Sequence, residues 1–221
     1  MSTWMATGHG SDGDGQPSPE DLERWSRSRQ QPENEVPVAV PLTAVLARTE
    51  ALAVVLTSVH ACSTGFGLQV SVRLRQPPAP ADDLYGQFMS NAGAGGQFLL
   101  GVELSDGRRG SVLGRPGDWP PQPGLQGSDQ EVSLSGTGGG GGGRSFDQGW
   151  WVTPLPPDGP VRLVVRWDAQ GIQEEATELD GTAIARAGRS AEVLWPWEPE
   201  REEAEAPEGT GRPSSGWFAQ P

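Results

Sequence analysis

Residues 68–75 read LQVSVRLR, in which Leu68, Val70, Val72 and Leu74 alternate without a break with Gln69, Ser71, Arg73 and Arg75. A period of two over eight residues is the pattern of a β-strand with one face in a core and the other in water. The same pattern recurs along the chain. Phe98, Leu100, Val102 and Leu104 predict a second such strand, followed by Asp106-Gly107, a two-residue hairpin signal, and a return strand from Gly110. Val161, Leu163, Val165 and Trp167 predict a third, with Ala169-Gln170-Gly171 as a turn into a strand over 172–179. Val36, Val38, Val40 and Leu42 alternate as well, but Pro37 and Pro41 confine that strand to an edge or a bulge. Residues 51–60 (ALAVVLTSVH) are apolar at successive positions, as in a strand covered on both faces. Short strands are expected near 130–134 and 146–153.

One stretch has helical spacing: 182–191, where Ile184, Ala187 and Ala191 share a face behind Asp180 or Thr182 as cap. The lack of long helices between the strands argues against a parallel α/β sheet. The expected fold is all-β, an antiparallel β-sandwich of immunoglobulin-like character, with one short helix near the C-terminal end of the domain. The Cys–Trp–Cys signature of antibody domains is absent, which leaves the strand order open.

Composition sets the boundaries. The 221 residues include 32 glycines and 21 prolines and carry a net charge of −13. Yet 40 of the 42 Leu, Ile, Val and Phe residues fall between 36 and 197. The chain therefore reads as one β-sandwich domain, 36–197, between two tails. The N-terminal tail, 1–35, is expected to be disordered apart from a short helical turn over 19–29, where Leu22 and Trp25 share a face. The C-terminal tail, 198–221, is acidic and expected to be disordered, with an isolated Trp217-Phe218 pair. Inside the domain two long loops are expected, 76–96 and 114–144, the second ending in six glycines at 138–143.

Several chemistries are excluded. All 16 basic residues are arginine, so P-loop, Schiff-base and lysine general-base mechanisms have no ammonium group to use. Two histidines, His9 and His60, and one cysteine, Cys62, cannot assemble a zinc site or a disulfide framework in one chain. Residues 1–35, 36–197 and 198–221 carry −4, −5 and −4, which gives phosphates no basic face and argues against nucleic acid. Residues 1–15 have neither the basic nor the apolar region of a signal peptide, and no run approaches the ~18 apolar residues of a membrane helix. The expectation is a cytoplasmic protein, with Met1 or Met5 as its start, no cofactor and no membrane association.

Candidate sites are few. Gly136, Gly138 and Gly141 spell G-x-G-x-x-G, but no helix signal follows, so a dinucleotide fingerprint is rejected. Arg144, Asp147, Trp150 and Trp151 come directly after the glycine run. On an extended backbone the two tryptophans point to opposite faces, so one is expected in the core and one outward. That constellation suits a partner peptide or a sugar ring, and equally an Arg–Asp pair capping the end of the sandwich. Trp167 continues a core series, whereas of Trp195 and Trp197 one is expected to pack and the other to seal an edge. His60 and Cys62, two apart on a strand, share a face; they fit a nucleophile pair or a buried thiol beside a capped histidine. Asp147, Asp158, Asp168 and Asp180 sit at strand ends, where turn formation or a calcium site would use them. No catalytic residue and no metal ligand is assigned.

Ser63-Thr-Gly-Phe, Arg144-Ser-Phe-Asp, Pro154-Leu-Pro-Pro-Asp-Gly-Pro, Trp167-Asp-Ala-Gln-Gly-Ile and Leu194-Trp-Pro-Trp together resemble a group of uncharacterised actinobacterial proteins over about 36–197. The resemblance implies a single β-rich domain and carries no activity, cofactor or site residue. The functional expectation is a non-enzymatic β-sandwich module that binds an unidentified protein partner. Two alternatives stay open: a carbohydrate-binding module or weak glycan-directed hydrolase, and a structural component that self-associates through an edge such as 36–42.

Overall fold

The computed structural model describes residues 29–78, 84–89, 96–113, 131–198 and 215. The chain runs through β1 (Glu35–Val36), β2 (Val38–Val40), β3 (Ala44–Arg48), β4 (Leu52–Cys62), β5 (Gly65–Leu74), α1 (Leu84–Met89), β6 (Leu99–Glu103) and β7 (Arg109–Ser111). It continues through β8 (Ser133–Gly142), β9 (Ser145–Thr153), β10 (Pro160–Trp167), a 3₁₀ turn at Asp168–Gln170, β11 (Ile172–Asp180), α2 (Gly181–Arg189) and β12 (Glu192–Val193).

The strands make an antiparallel β-sandwich. One sheet has the order β2-β4-β5-β9-β8, with β3 also paired to β4, and the other has the order β11-β10-β6-β7. The alternation read in the sequence fixes which side chains meet between them. Phe66, Leu68, Val70 and Val72 of β5 are buried in one core with Leu100 and Val102 of β6 and with Val161, Leu163, Val165 and Trp167 of β10. Trp167 stacks on Phe88 of α1 at 6.0 Å between ring centres and meets Phe98 edge-on at 5.7 Å. Its indole N–H donates to the Gly96 carbonyl at 2.9 Å, so the polar atom of this buried ring is satisfied. Helix α2 buries Ile184 in the same core, with Ala183 and Ala187 packed against it. Asp180 caps it by accepting from the Ala183 N–H at 2.9 Å.

The structure departs from the sequence reading in four places. First, 114–144 is not one loop. Residues 133–142 form β8, paired with β9 from Ser133↔Thr153 to Gly142↔Ser145. Hydrophobic periodicity cannot report a strand of glycines, but a partner strand supplies the hydrogen bonds that their side chains cannot signal. Second, the 76–96 segment contains the short helix α1. Third, the outward positions of β4, Ala53 and Val55, are half-buried rather than covered. Fourth, the domain begins before Val36. Gln31 lies 3.4 Å from the His60 ring, Asn34 donates to the Trp195 carbonyl, and the Glu35 carboxylate accepts from the Ser63 N–H at 2.8 Å and from its hydroxyl. The helical turn over 19–29 falls, except for its last residue, outside the described residues, as do Trp217 and Phe218.

Leu56 on β4 is fully buried, whereas Val45 on the adjoining β3 is exposed. Leu56→Ala should therefore cost about 3 kcal/mol through lost burial and the cavity left behind, whereas Val45→Ala should stay within about 0.5 kcal/mol. Urea unfolding of the two variants, with an unchanged slope, measures both.

Candidate functional site

Arg144, Asp147, Trp150 and Trp151 all lie on the β8–β9 hairpin, Arg144 in its turn and the other three on β9. They do not form one constellation. The Arg144 guanidinium is 3.5 Å from the Gln76 side-chain oxygen, and its backbone carbonyl accepts from the Leu74 N–H at 2.8 Å. Asp147 instead faces Arg73 across the β5–β9 pair, at 3.7 Å, and accepts from the Ser145 hydroxyl at 3.5 Å. Neither bond holds Arg144 to Asp147, because the hairpin turn carries Arg144 toward the end of β5.

The two tryptophans do point to opposite faces of the sheet, but neither faces water. Trp150 is 3% exposed and belongs to the core, and Trp151, on the other face, is 1% exposed. What covers Trp151 is His60, whose ring centre is 6.2 Å away. Gly67, the partner of both His60 on β4 and Trp151 on β9, makes room for it. A Cβ at Gly67 would stand 2.1 Å from the imidazole, so only glycine leaves the ring space to lie over β5. The outward Trp expected at this site is thereby withdrawn, and with it the aromatic platform for a sugar or peptide.

The same packing decides the His60–Cys62 question. Cys62 is buried, and burial followed by the nearby Glu35 charge pushes its thiol up to about 11. A thiol held there supplies no nucleophilic thiolate near neutral pH. Burial lowers the His60 imidazole below its ordinary value of 6.5, and its recorded partners are Trp151 and Gln31.

The strand-end aspartates each have separate work. Asp158 pairs with Arg189 at 3.0 Å, Asp168 with Arg166 at 2.8 Å, Asp147 with Arg73, and Asp180 caps α2. Among the described residues no three His, Cys, Asp or Glu side chains converge on a point where a metal ion would sit. The glycine fingerprint fares likewise, since Gly136, Gly138 and Gly141 lie on β8 and a β-hairpin turn follows, not a helix N-terminus.

The feature that sequence reading missed is a strip where the first and last of the described strands meet. β1 pairs with β12 through Glu35↔Val193 and Val36↔Glu192, and the Leu194 N–H donates to the Asn34 carbonyl at 2.9 Å. On this ribbon and just beyond it Val36, Val193, Leu194, Trp195 and Trp197 are exposed, Trp195 to 58% and Trp197 to 44%. Neither tryptophan packs into the core, which corrects the expectation that one would. The signal was available: Val193–Trp197 follows the last helix, after every core position of both sheets has been filled.

Comparison with known protein families, with characterised proteins and with solved structures gives no match.

His60 and Cys62 make opposite demands on pH. Because folding lowers the imidazole, its share of stability is present above about 6.5 and lost as pH falls through the folded value. Because folding raises the thiol, its share is present below the ordinary value of 9.0 and lost as pH rises toward about 11. Native Cys62 should accordingly resist a thiol-specific reagent at mildly alkaline pH and react fully in denaturant. His60→Gln should make the decline of melting temperature on acidification shallower. Thiol titration and pH-resolved thermal melts check the two.

Proposed function

We propose that this chain is a non-enzymatic protein-interaction module whose partner docks on the β1–β12 strip rather than on 144–151. The observation that carries the reading is that Val36, Val193, Leu194, Trp195 and Trp197 are all exposed on the β1–β12 ribbon and the segment just beyond it. Single exposed apolar residues are ordinary on a protein surface, whereas five of them so close together, two of them tryptophan, are the residue types of an interaction centre. Glu192 and Glu198 flank the strip in sequence and Glu33 precedes it on the other strand. A partner with an apolar patch and a basic border would complement it.

The non-enzymatic part of the proposal is supported by the burial of Cys62, by the packing of the half-buried His60 beside Trp151 and by the structural work assigned to the strand-end aspartates. The acidic balance of every segment weighs against a nucleic-acid partner. Among the described residues no helix is long and apolar enough to cross a membrane. A cytoplasmic setting, with a lone reduced cysteine, is part of the same reading.

The immunoglobulin-like character also belongs to the proposal and is supported by strand order. Variable-type sandwiches place strands A, B, E and D in one sheet and G, F, C and C′ in the other. Here β4-β5-β9-β8 and β11-β10-β6-β7 occupy those places in the same chain order, with β2 and β3 added beside β4.

The experiment is a pull-down from host lysate with the full chain as bait, beside a Leu194→Ser/Trp195→Ser variant and an Arg144→Ala variant. The expected result is a protein retained by the wild type and by Arg144→Ala and depleted about tenfold or more by the double variant, as loss of a central hot spot would do. A partner retained equally by all three baits, or lost only with Arg144, would refute the docking strip.

A further inference from the structure

The described strands fall into three sheets, two large and one made of β1 and β12 alone. That third sheet pairs two residues with two, Glu35↔Val193 and Val36↔Glu192, and joins neither of the others. None of residues 29–36 or 192–198 is buried, and none belongs to the core. An isolated two-stranded ribbon is marginal in water, because it buries too little to offset the ordering of its backbone. Something outside the ribbon has to hold it.

β2 pairs with β4 from Val38↔Ala61 onward, and Pro37 just before it has no N–H to carry that ladder further. β1 pairs with β12 instead, and the bonds that tie it back to the sandwich are polar. The Glu35 carboxylate accepts from the Ser63 N–H at 2.8 Å and from the Ser63 hydroxyl, one donor on each oxygen. Bonds to an ionised acceptor are the stronger kind. Gln31 adds a longer contact, 3.4 Å from the His60 ring. Asn34 ties the ribbon only to its own far side: its carbonyl accepts from the Leu194 N–H at 2.9 Å, and its side-chain amide donates to the Trp195 carbonyl at 3.0 Å. Ser63 is a firm anchor, since it stands in the two-residue turn between β4 and β5, which stay paired up to Cys62↔Gly65.

We infer that Glu35 is a latch: its grip on Ser63 assembles the β1–β12 ribbon, and its release dissolves the ribbon while the sandwich stays folded. The sandwich keeps its core on release because no released residue belongs to it. The functional consequence rests on the docking reading above. β12 has no strand but β1 to pair with among the described residues, so Val36 and Val193–Trp197 share one surface only while the latch is shut. A partner that needs the ordered strip binds the latched form alone, and its apparent affinity falls with the latched fraction. By the same linkage a bound partner holds the latch shut. Glu35 is therefore a positioning residue, acting on docking from outside the apolar strip.

Amide hydrogen exchange of the full-length protein tests the latch, because it reads ribbon and sandwich separately. In the wild type the Leu194 N–H should be protected by its bond to Asn34, though less than the amides of Leu68 and Val72, whose strand is paired on both sides. Glu35→Ala should speed exchange at Leu194 by about tenfold or more and leave Leu68 and Val72 as in the wild type. Glu35→Gln, which keeps one acceptor oxygen, and Ser63→Ala, which removes one donor, should each do less. Unchanged exchange at Leu194 in Glu35→Ala overturns the latch. So does loss of protection at Leu68 and Val72 in step with Leu194, since ribbon and sandwich would then open together. A wild-type Leu194 amide that exchanges as in an unstructured peptide overturns it as well. These readouts need no partner, so a pull-down without a strip-dependent partner would sink the docking reading and leave the latch standing, and unchanged exchange would do the reverse.

Discussion

Phe66, Leu68, Val70 and Val72 enter the core from a strand that is paired along most of its length on both sides, with β4 and with β9. A slip of one residue against either neighbour would present Gly67, Gln69, Ser71 and Arg73 to the core instead. That register holds the rest in place. On the inner face it sets the rows that meet β6 and β10. On the outer face it puts Gly67 between His60 and Trp151, so that two rings close over a backbone with no side chain. The chemistry available to His60 follows from this position. An imidazole recruited to roof a tryptophan is desolvated and engaged, and the neighbouring thiol is buried with it.

The sandwich was legible in the sequence wherever a strand has one wet and one dry face. β5, β6 and β10 show themselves by alternation, β11 by the turn before it, and α2 by its cap and its three-four spacing. What was illegible had no side-chain signal to give. Gly138–Gly142 carry no hydrophobic pattern, so a strand of glycines reads as a linker, and only the length of β9 opposite it shows that hydrogen bonds are available. The N-terminal boundary was misplaced for a related reason. Gln31, Asn34 and Glu35 join the fold through polar bonds, and periodicity counts only apolar residues.

The candidate site was read least well, and the reason is geometric. Spacing along β9 does place Trp150 and Trp151 on opposite faces, as alternation demands. It cannot say that the outer face is roofed, because the roof comes from His60, about ninety residues earlier. The converse error occurred at Trp195 and Trp197. Near a domain end, apolar residues were expected to pack, but the core positions of both sheets were already occupied and the ribbon carries them outside. Burial of a tryptophan is decided by what lies across from it.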